Sequence, residues 1–247
     1  MKTSNKILLG LFIAILIGIT AMMLFLKSSL QSGGLSGDGN VKEIIREIGV
    51  FQELELQSRA RVYITQDEKH QLRIVADSNI IPYIRTDIRG KALKIYSDTF
   101  IVDAERFDLY LSAKEINEID LERGARLYTE NQLQSETLEL DISAGSKAEM
   151  TIHVNRLECS LSAGSKCELS GYSDFVDIDA SAGSIVNAYH LTINECKVDA
   201  SSGSMLKLNV KEKLMAVASS GSNIKYRGNP EVDKIDISSG ANLEQAN

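Results

Sequence analysis

Ser143-Ala144-Gly145-Ser146, Ser162-Ala163-Gly164-Ser165, Ser181-Ala182-Gly183-Ser184, Ser201-Ser202-Gly203-Ser204, Ser219-Ser220-Gly221-Ser222 and Ser238-Ser239-Gly240-Ala241 are one phrase written six times between residue 138 and the C-terminus. Successive glycines stand 19, 19, 20, 18 and 19 residues apart. That period is too short for a pair of packed helices and suits one turn of a coil of strands. Each phrase is therefore read as the bend of one rung.

Aligned on the glycines, the flanking positions sort by polarity. Three residues before each glycine stand Ile142, Leu161, Ala180, Ala200, Ala218 and Ile237, and three after it Ala148, Cys167, Val186, Leu206, Ile224 and Leu243. Two further back are Leu140, Cys159, Ile178, Val198, Ala216 and Ile235, with Asp141, Ser160, Asp179, Asp199, Val217 and Asp236 between the two apolar columns. Apolar and polar residues alternate on both sides of the bend, the pattern of strands with one buried face. A lone rung of this size cannot bury that face. A neighbour about 4.8 Å above pairs its backbone and covers its side chains. At the bend itself Gly145, Gly164, Gly183, Gly203, Gly221 and Gly240 accept positive φ or a close backbone approach without a steric penalty. The serine two before each glycine, Ser143 in the first phrase, is expected to form a hydroxyl ladder to the next rung or to the bend's own backbone.

Upstream, the chain reads as strands at Glu53–Leu56, Arg61–Ile64, Leu72–Val75, Ala92–Tyr96 and Phe107–Leu111, with turns at Gln66–Lys69 and Arg89–Lys91. Asn79–Thr86, which contains Pro82, suits a short helix or capping loop. This half is expected to cap the N-terminal end of the coil, whose unpaired backbone would otherwise invite aggregation. Arg123-Gly124-Ala125, 21 residues before Gly145, looks like a degenerate first rung.

At the other end, Ile7 to Leu26 is an uncharged stretch of 20 residues. At about 1.5 Å per residue it is long enough to cross a ~30 Å hydrocarbon layer. Lys2 and Lys6 precede it and Lys27 follows. That bias places the N-terminus in the cytoplasm and the rest of the chain outside it. Ser28 and Ser29 leave a cleaved, secreted form open. Ser28–Asn40 holds four glycines and four serines and reads as a flexible tether. The expected organisation is a cytoplasmic tip and transmembrane helix over 1–27, a tether over 28–45, and one β-solenoid domain over 46–247. Within that domain 46–120 is the N-terminal β half and 121–247 the rung repeats. The fold class is all-β, a parallel β-helix with rungs of about 19 residues, preceded by one transmembrane helix.

Without Lys2, Lys6 and Lys27 there remain 24 basic against 34 acidic residues, a net charge of −10 outside the membrane. This average disfavours nucleic acid and anionic lipid surfaces as partners. The absence of tryptophan makes aromatic platforms for sugars or single strands scarce. Cys159, Cys167 and Cys196 fall on apolar columns or their continuation and read as buried free thiols, with a Cys159–Cys167 disulfide open if the bend brings the two together. His70, His153 and His190 lack metal-site spacing, and no glycine loop has the phosphate-cradling pattern. No cofactor and no metal site is expected. The nearest thing to a constellation is the surface column of Asp141, Asp179, Asp199 and Asp236, interrupted by Ser160 and Val217. Stacked carboxylates of this kind raise one another's pKa, bind calcium, or supply a glycosidase-like pair. A solvated strand face explains them equally well.

The rung phrase, followed by Lys225-Tyr226-Arg227-Gly228-Asn229-Pro230 and the last Ile237-Ser238-Ser239-Gly240, resembles the auto-transporter adhesin head domain, also called the GIN domain. Phe51-Gln52-Glu53-Leu54, Val62-Tyr63-Ile64, Ala76-Asp77-Ser78-Asn79 and Leu93-Lys94-Ile95 resemble that family's opening strands, so that the likeness covers about residues 46 to 245. The resemblance implies a parallel β-helix-like domain, secreted or attached to the envelope, chiefly in Bacteroidetes-type bacteria, with no established activity. The chain departs from the pattern in Arg59-Ala60-Arg61, where a glycine is common, and in its long apolar span, where a cleavable signal is usual. The expected function is an adhesin-like binding or structural module of the cell envelope, with an envelope protein or glycan as ligand and no enzymatic activity. The alternatives are a glycan hydrolase or lyase using the Asp column and an envelope-stress signalling accessory.

Overall fold

The structure is a computed structural model that describes residues 12–13, 15–23 and 34–246, with the backbone alone at 234 and 235. Residues 12–13 and 15–23 are helical, and among the described residues no helix is long and apolar enough to cross a membrane. The remainder of the expected 7–26 span lies outside the described residues.

Everything from Leu35 onward is β-structure apart from a 3₁₀ turn at Ile81–Tyr83. The strands in chain order are β1 (Leu35–Ser36), β2 (Val41–Glu47), β3 (Glu53–Gln57), β4 (Arg61–Gln66), β5 (Gln71–Asp77), β6 (Ile84–Arg89), β7 (Ala92–Ser97), β8 (Ile101–Asp103) and β9 (Phe107–Ala113). There follow β10 (Glu118–Glu122), β11 (Arg126–Thr129), β12 (Leu133–Ile142), β13 (Lys147–Leu161), β14 (Lys166–Ala180), β15 (Ile185–Ala200), β16 (Met205–Ala218), β17 (Asn223–Arg227), β18 (Glu231–Ile237) and β19 (Asn242–Gln245). Strand β1 falls inside 28–45 and β2 begins there, so the folded unit takes in most of the stretch read as a tether.

The long strands β12 to β16 pair in parallel with their neighbours, residue above equivalent residue: Leu140 on Cys159, Cys159 on Ile178, Ile178 on Val198 and Val198 on Ala216. Each rung runs out from its bend along one arm, turns a corner near the middle of the strand, and returns along a second arm. The inward side chains of both arms join one continuous buried cluster from Phe51 to Ile224. The degenerate rung is real: β10 and β11 pair with β12 and β13 below and with β3 and β4 above. The N-terminal half closes the coil as expected, by means that alternation alone does not reveal. β7 and β9 form a further parallel layer on β3 and β4, then β6 runs antiparallel to β7, and β5 antiparallel to both β9 and β2. Reversed direction ends the parallel template.

The bends share one geometry. Ala144, Ala163, Ala182, Ser202, Ser220 and Ser239 have φ of 49–51° and the following glycines 71–76°. Two successive left-handed residues make a type I′ turn, closed in the first rung by Ser146 N–H donating to the Ser143 carbonyl at 3.0 Å. A Cβ on any of the six glycines would meet nothing within 4 Å, so they serve conformation and not close approach. Close approach occurs at the corners. Gly228, in the Tyr-Arg-Gly-Asn-Pro segment, has φ of 98°, and a Cβ there would lie 1.8 Å from the Val210 carbonyl oxygen.

The hydroxyl ladder falls on a different column from the expected one. The serines after the glycines, Ser146, Ser165, Ser184, Ser204 and Ser222, are buried at 0–1 % exposure. Ser165 Oγ donates to the Ile142 carbonyl at 2.8 Å and Ser222 Oγ to Ala200 at 2.8 Å, each reaching back to the preceding rung. Ser143, Ser162, Ser181, Ser201 and Ser219 occupy the first corner of the turn, half-buried, with the N–H donating to the preceding rung and the carbonyl accepting the bond that closes the turn. The spacings of 20 and 18 also find their cause: the register of β14 on β15 slips between Glu168 and Ser170, where Tyr189 is looped out, and β16 takes a shorter path below it.

The cysteines are free and buried, with no Cys159–Cys167 disulfide. A hydrogen bond with the Cys159 thiol, then burial, pushes the Cys167 thiol well up, and burial pushes Cys196 up to about 12. Cys167 and Cys196 are therefore protonated, unreactive core groups, and Cys159 is buried beside them.

Two contrasts test this account. Ser165→Ala loses a buried hydrogen bond and is expected to cost about 0.5–1.5 kcal/mol in chemical denaturation, whereas Ser146→Ala, whose hydroxyl has no partner, is expected to be neutral or stabilising. Gly164→Ala meets only conformational strain, about 1–2 kcal/mol. Gly228→Ala adds a backbone collision and is expected to cost roughly 3 kcal/mol or more.

Candidate functional site

On the arm returning to each bend, the outward positions carry two columns of carboxylates. The first runs Glu53, Glu118, Glu139, Glu158 and Asp177, each in register with the next. The second runs Glu55, Asp120, Asp141, Ser160, Asp179 and Asp199, then Val217 and Asp236. The period-2 alternation that buries Leu140 and Ile142 leaves Glu139 and Asp141 facing outward. Exact rung register then stacks them.

Like charges directly opposite one another across a strand pair destabilise the sheet. Three cations relieve the ladder: Lys94 with Glu55 at 3.0 Å, Arg156 with Glu158 at 2.8 Å and Lys197 with Asp177 at 2.8 Å. None of them forms an ion pair with Asp120, which Lys94 offsets only weakly from its place on Glu55. Burial, and after it the Glu122 and Asp141 carboxylates, pushes Asp120 up to about 6. Burial, followed by Glu53 and Glu139, also raises Glu118. Asp120, Glu122, Asp141, Ser160 and Asp179 line an open cleft of about 430 Å³ together with serines of the bends. At neutral pH such a cleft accepts hydrogen bonds and attracts cations, and below about pH 6 Asp120 also donates.

Of the four aspartates singled out in the sequence, Asp179 and Asp199 are direct neighbours, Asp141 sits beside Asp120, and Asp236 is separated from Asp199 by Val217. The column is longer than the repeat phrase shows. Asp120 and Glu55 belong to rungs without the serine-glycine signature, and the only sequence signal for them is the alternation Glu118-Ile119-Asp120-Leu121-Glu122. Among the described residues no group of three His, Cys, Asp or Glu side chains is arranged to hold a metal ion. His70 lies edge-on to Phe51 and His153 stacks on Tyr172.

On the other arm Tyr110, Tyr63 and Tyr128 stack in three consecutive layers, with ring centroids 4.9 and 5.3 Å apart. Arg73 covers the remaining face of Tyr110 at 3.8 Å. The faces of Tyr110 and Tyr63 are covered by their neighbours, so this ladder fastens rungs together. Beside it, the buried carboxylate of Asp108 is held by Arg61 at 2.6 Å and Arg106 at 2.8 Å.

The same architecture occurs in solved proteins. A "putative adhesin" from Bacteroides fragilis superposes with a TM-score of 0.82 at 15% identity, over 86% of this chain and 100% of its own. A "putative adhesin" from Parabacteroides merdae gives 0.69 at 17% identity over 87% and 100%, and a "putative lipid binding protein" from Parabacteroides distasonis gives 0.70 at 19% over 86% and 99%. At these identities the likeness shows the fold. No functionally curated protein is significantly similar to the chain. Residues 50–230 match the family described as "Putative auto-transporter adhesin, head GIN domain", and the chain belongs to that family.

Proposed function

We propose that this protein is a membrane-tethered module of the bacterial cell envelope that acts by binding, as an adhesin-like or structural element, with its N-terminus in the cytoplasm and the solenoid outside. One observation carries the reading. The core is a single filled cluster, and the chemistry the chain exposes is arranged as long ladders on an extended face rather than gathered in an enclosed pocket. Repeat folds recognise ligands over such surfaces. The apolar stretch from Ile7 to Leu26 supports the tether, and the family supports the envelope location.

A second reading, a glycan-cleaving enzyme, draws on Asp120. A carboxyl titrating near 6 beside the Asp141 carboxylate is the pairing of acid and base that glycoside hydrolysis uses. The two readings part on turnover. Full-length protein in detergent, incubated with arrays of envelope glycans and proteins, is expected to retain a ligand saturably and return it unchanged in mass. Shortened glycan, lost with Asp120→Asn and Asp141→Asn, would overturn the binding reading.

The ladder has its own signature in stability. The folded-state pKa of Asp120 lies above its unfolded value, so the native state binds more protons between about pH 4 and 6 and stability falls as pH rises through that window. Asp120→Asn is therefore expected to stabilise the protein above pH 6, by on the order of 1 kcal/mol after solvent screening, and to have no effect below pH 4. Thermal melts of both proteins across that range check it.

A further inference from the structure

The net negative charge of the chain is unevenly spread. In the N-terminal layers, Arg61 stacks directly on Arg126 in the rung register, and Lys147 and Lys166 continue the column. Arg59 and Arg123 occupy the bends of the same two layers and are exposed. Among the described residues no carboxylate lies within ion-pairing distance of Arg59, Arg123 or Arg126, while Arg61 is held by Asp108. Arg59, Arg61 and Arg126 line an open cleft of about 540 Å³ whose far wall is the segment from Ile101 to Phe107, carrying Asp103 and Glu105 on its rim. On the other side of that segment Arg59 and Arg123 line a second cleft with Phe100.

Next to those two carboxylates the segment presents two exposed apolar side chains. Phe100 is 55% and Val102 36% accessible, and the Arg59 guanidinium lies 5.6 Å from the Phe100 ring. Cations flanking an exposed aromatic and a branched aliphatic side chain suit the boundary between lipid headgroups and acyl chains. The polypeptide also enters the fold at this point. Leu35 N–H donates to the Phe100 carbonyl at 2.8 Å, and a Cβ on Gly34 would lie 2.1 Å from Val102 and 3.2 Å from Phe100. Only eight residues, 27 to 34, separate this contact from the end of the apolar stretch. At no more than about 3.6 Å each, they keep the Arg–Phe surface within ~29 Å of the bilayer.

We propose that the Arg59, Arg61, Arg123 and Arg126 clefts and the Phe100–Val102 segment between them form a docking surface for the anionic phospholipids of the bilayer to which the chain is tethered. This rests on the tethered reading above. Guanidinium groups pair with lipid phosphates, Phe100 enters the headgroup layer, and the solenoid is held against the membrane by its N-terminal layers while its carboxylate ladders remain in solvent.

The chain contains no tryptophan, so Phe100→Trp in the full-length protein supplies a single reporter. The protein is reconstituted into vesicles of phosphatidylcholine with or without phosphatidylglycerol, each carrying a headgroup-level nitroxide quencher. Phosphatidylglycerol is expected to shift the emission to the blue and quench it at least twofold. High salt, or combining Arg59→Glu, Arg123→Glu and Arg126→Glu, is expected to abolish both effects, while a control reporter, Met205→Trp, stays unquenched in every vesicle. Vesicle flotation reads the tether separately. Flotation with both vesicle types and no lipid-dependent change at Phe100→Trp overturns the docking surface and leaves the tether standing. Flotation with neither overturns both. An equal blue shift from a soluble sulfated polysaccharide on phosphatidylcholine vesicles assigns the clefts to a free anionic polymer and overturns the lipid assignment.

Discussion

The structure depends on a backbone contact at the bends. Each turn glycine donates its N–H to the carbonyl of the residue before the glycine in the next rung: Gly145 to Ala163, Gly164 to Ala182, Gly183 to Ser202, Gly203 to Ser220 and Gly221 to Ser239, all at 3.0–3.1 Å. A type I′ turn aims that N–H along the coil axis, and it does so only while both central residues keep positive φ. The glycine does this without strain, whereas the alanine or serine before it is held in a conformation that costs a non-glycine residue about 1–2 kcal/mol. The strain persists because the bends are clamped by their neighbours in the stack, on both sides in every rung but the last, at Gly240. Register is fixed at one point per turn, and the alternation of side chains then assigns every residue to core or surface.

This explains which parts of the fold are legible in the sequence. Features repeated because every rung must stack can be read directly: the glycine column, the flanking aliphatics, the alternation and the period. Features used once are harder. The antiparallel strands β2 and β6 close the stack by reversing direction, and a short strand reads the same whichever way it runs. The layer of β7 and β9 lies outside β3 and β4 although it follows them in the chain, an order that composition does not encode. The serine ladder is a different failure. Two serine columns flank the glycine, and only the turn's handedness decides that Ser165, and not Ser162, faces inward. Likewise the aspartate column is visible where the serine-glycine phrase marks the rung and invisible at Asp120, where Arg123 and Gly124 make the same turn without it.

The surface divides along the same lines. Stacking equivalent residues multiplies whatever a column carries, so a carboxylate position becomes a ladder of like charge and an arginine position a basic stripe. The protein tolerates this differently in different places. Lysines and an arginine neutralise parts of the acid face, and Asp120 is left partly buried with a raised pKa. Asp108 shows the structural solution, a buried carboxylate gripped by Arg61 from the adjacent strand β4 and by Arg106 just ahead of its own strand.

Repetition and function therefore occupy different residues. A position that must be the same in every rung serves the coil, because any rung could replace another there. A side chain that binds something specific breaks the pattern, since a ligand of finite size meets only a few rungs. By that argument the turn glycines and core columns identify the fold and nothing more. The informative residues are the exceptions: the half-buried carboxylate at 120 with its raised pKa, the arginine at 123 where later rungs place alanine or serine, the arginine at 59 where they place the turn glycine, and the exposed phenylalanine at 100 in a segment with no counterpart in the repeats. All of them lie in the N-terminal layers, next to the point where the chain enters the solenoid.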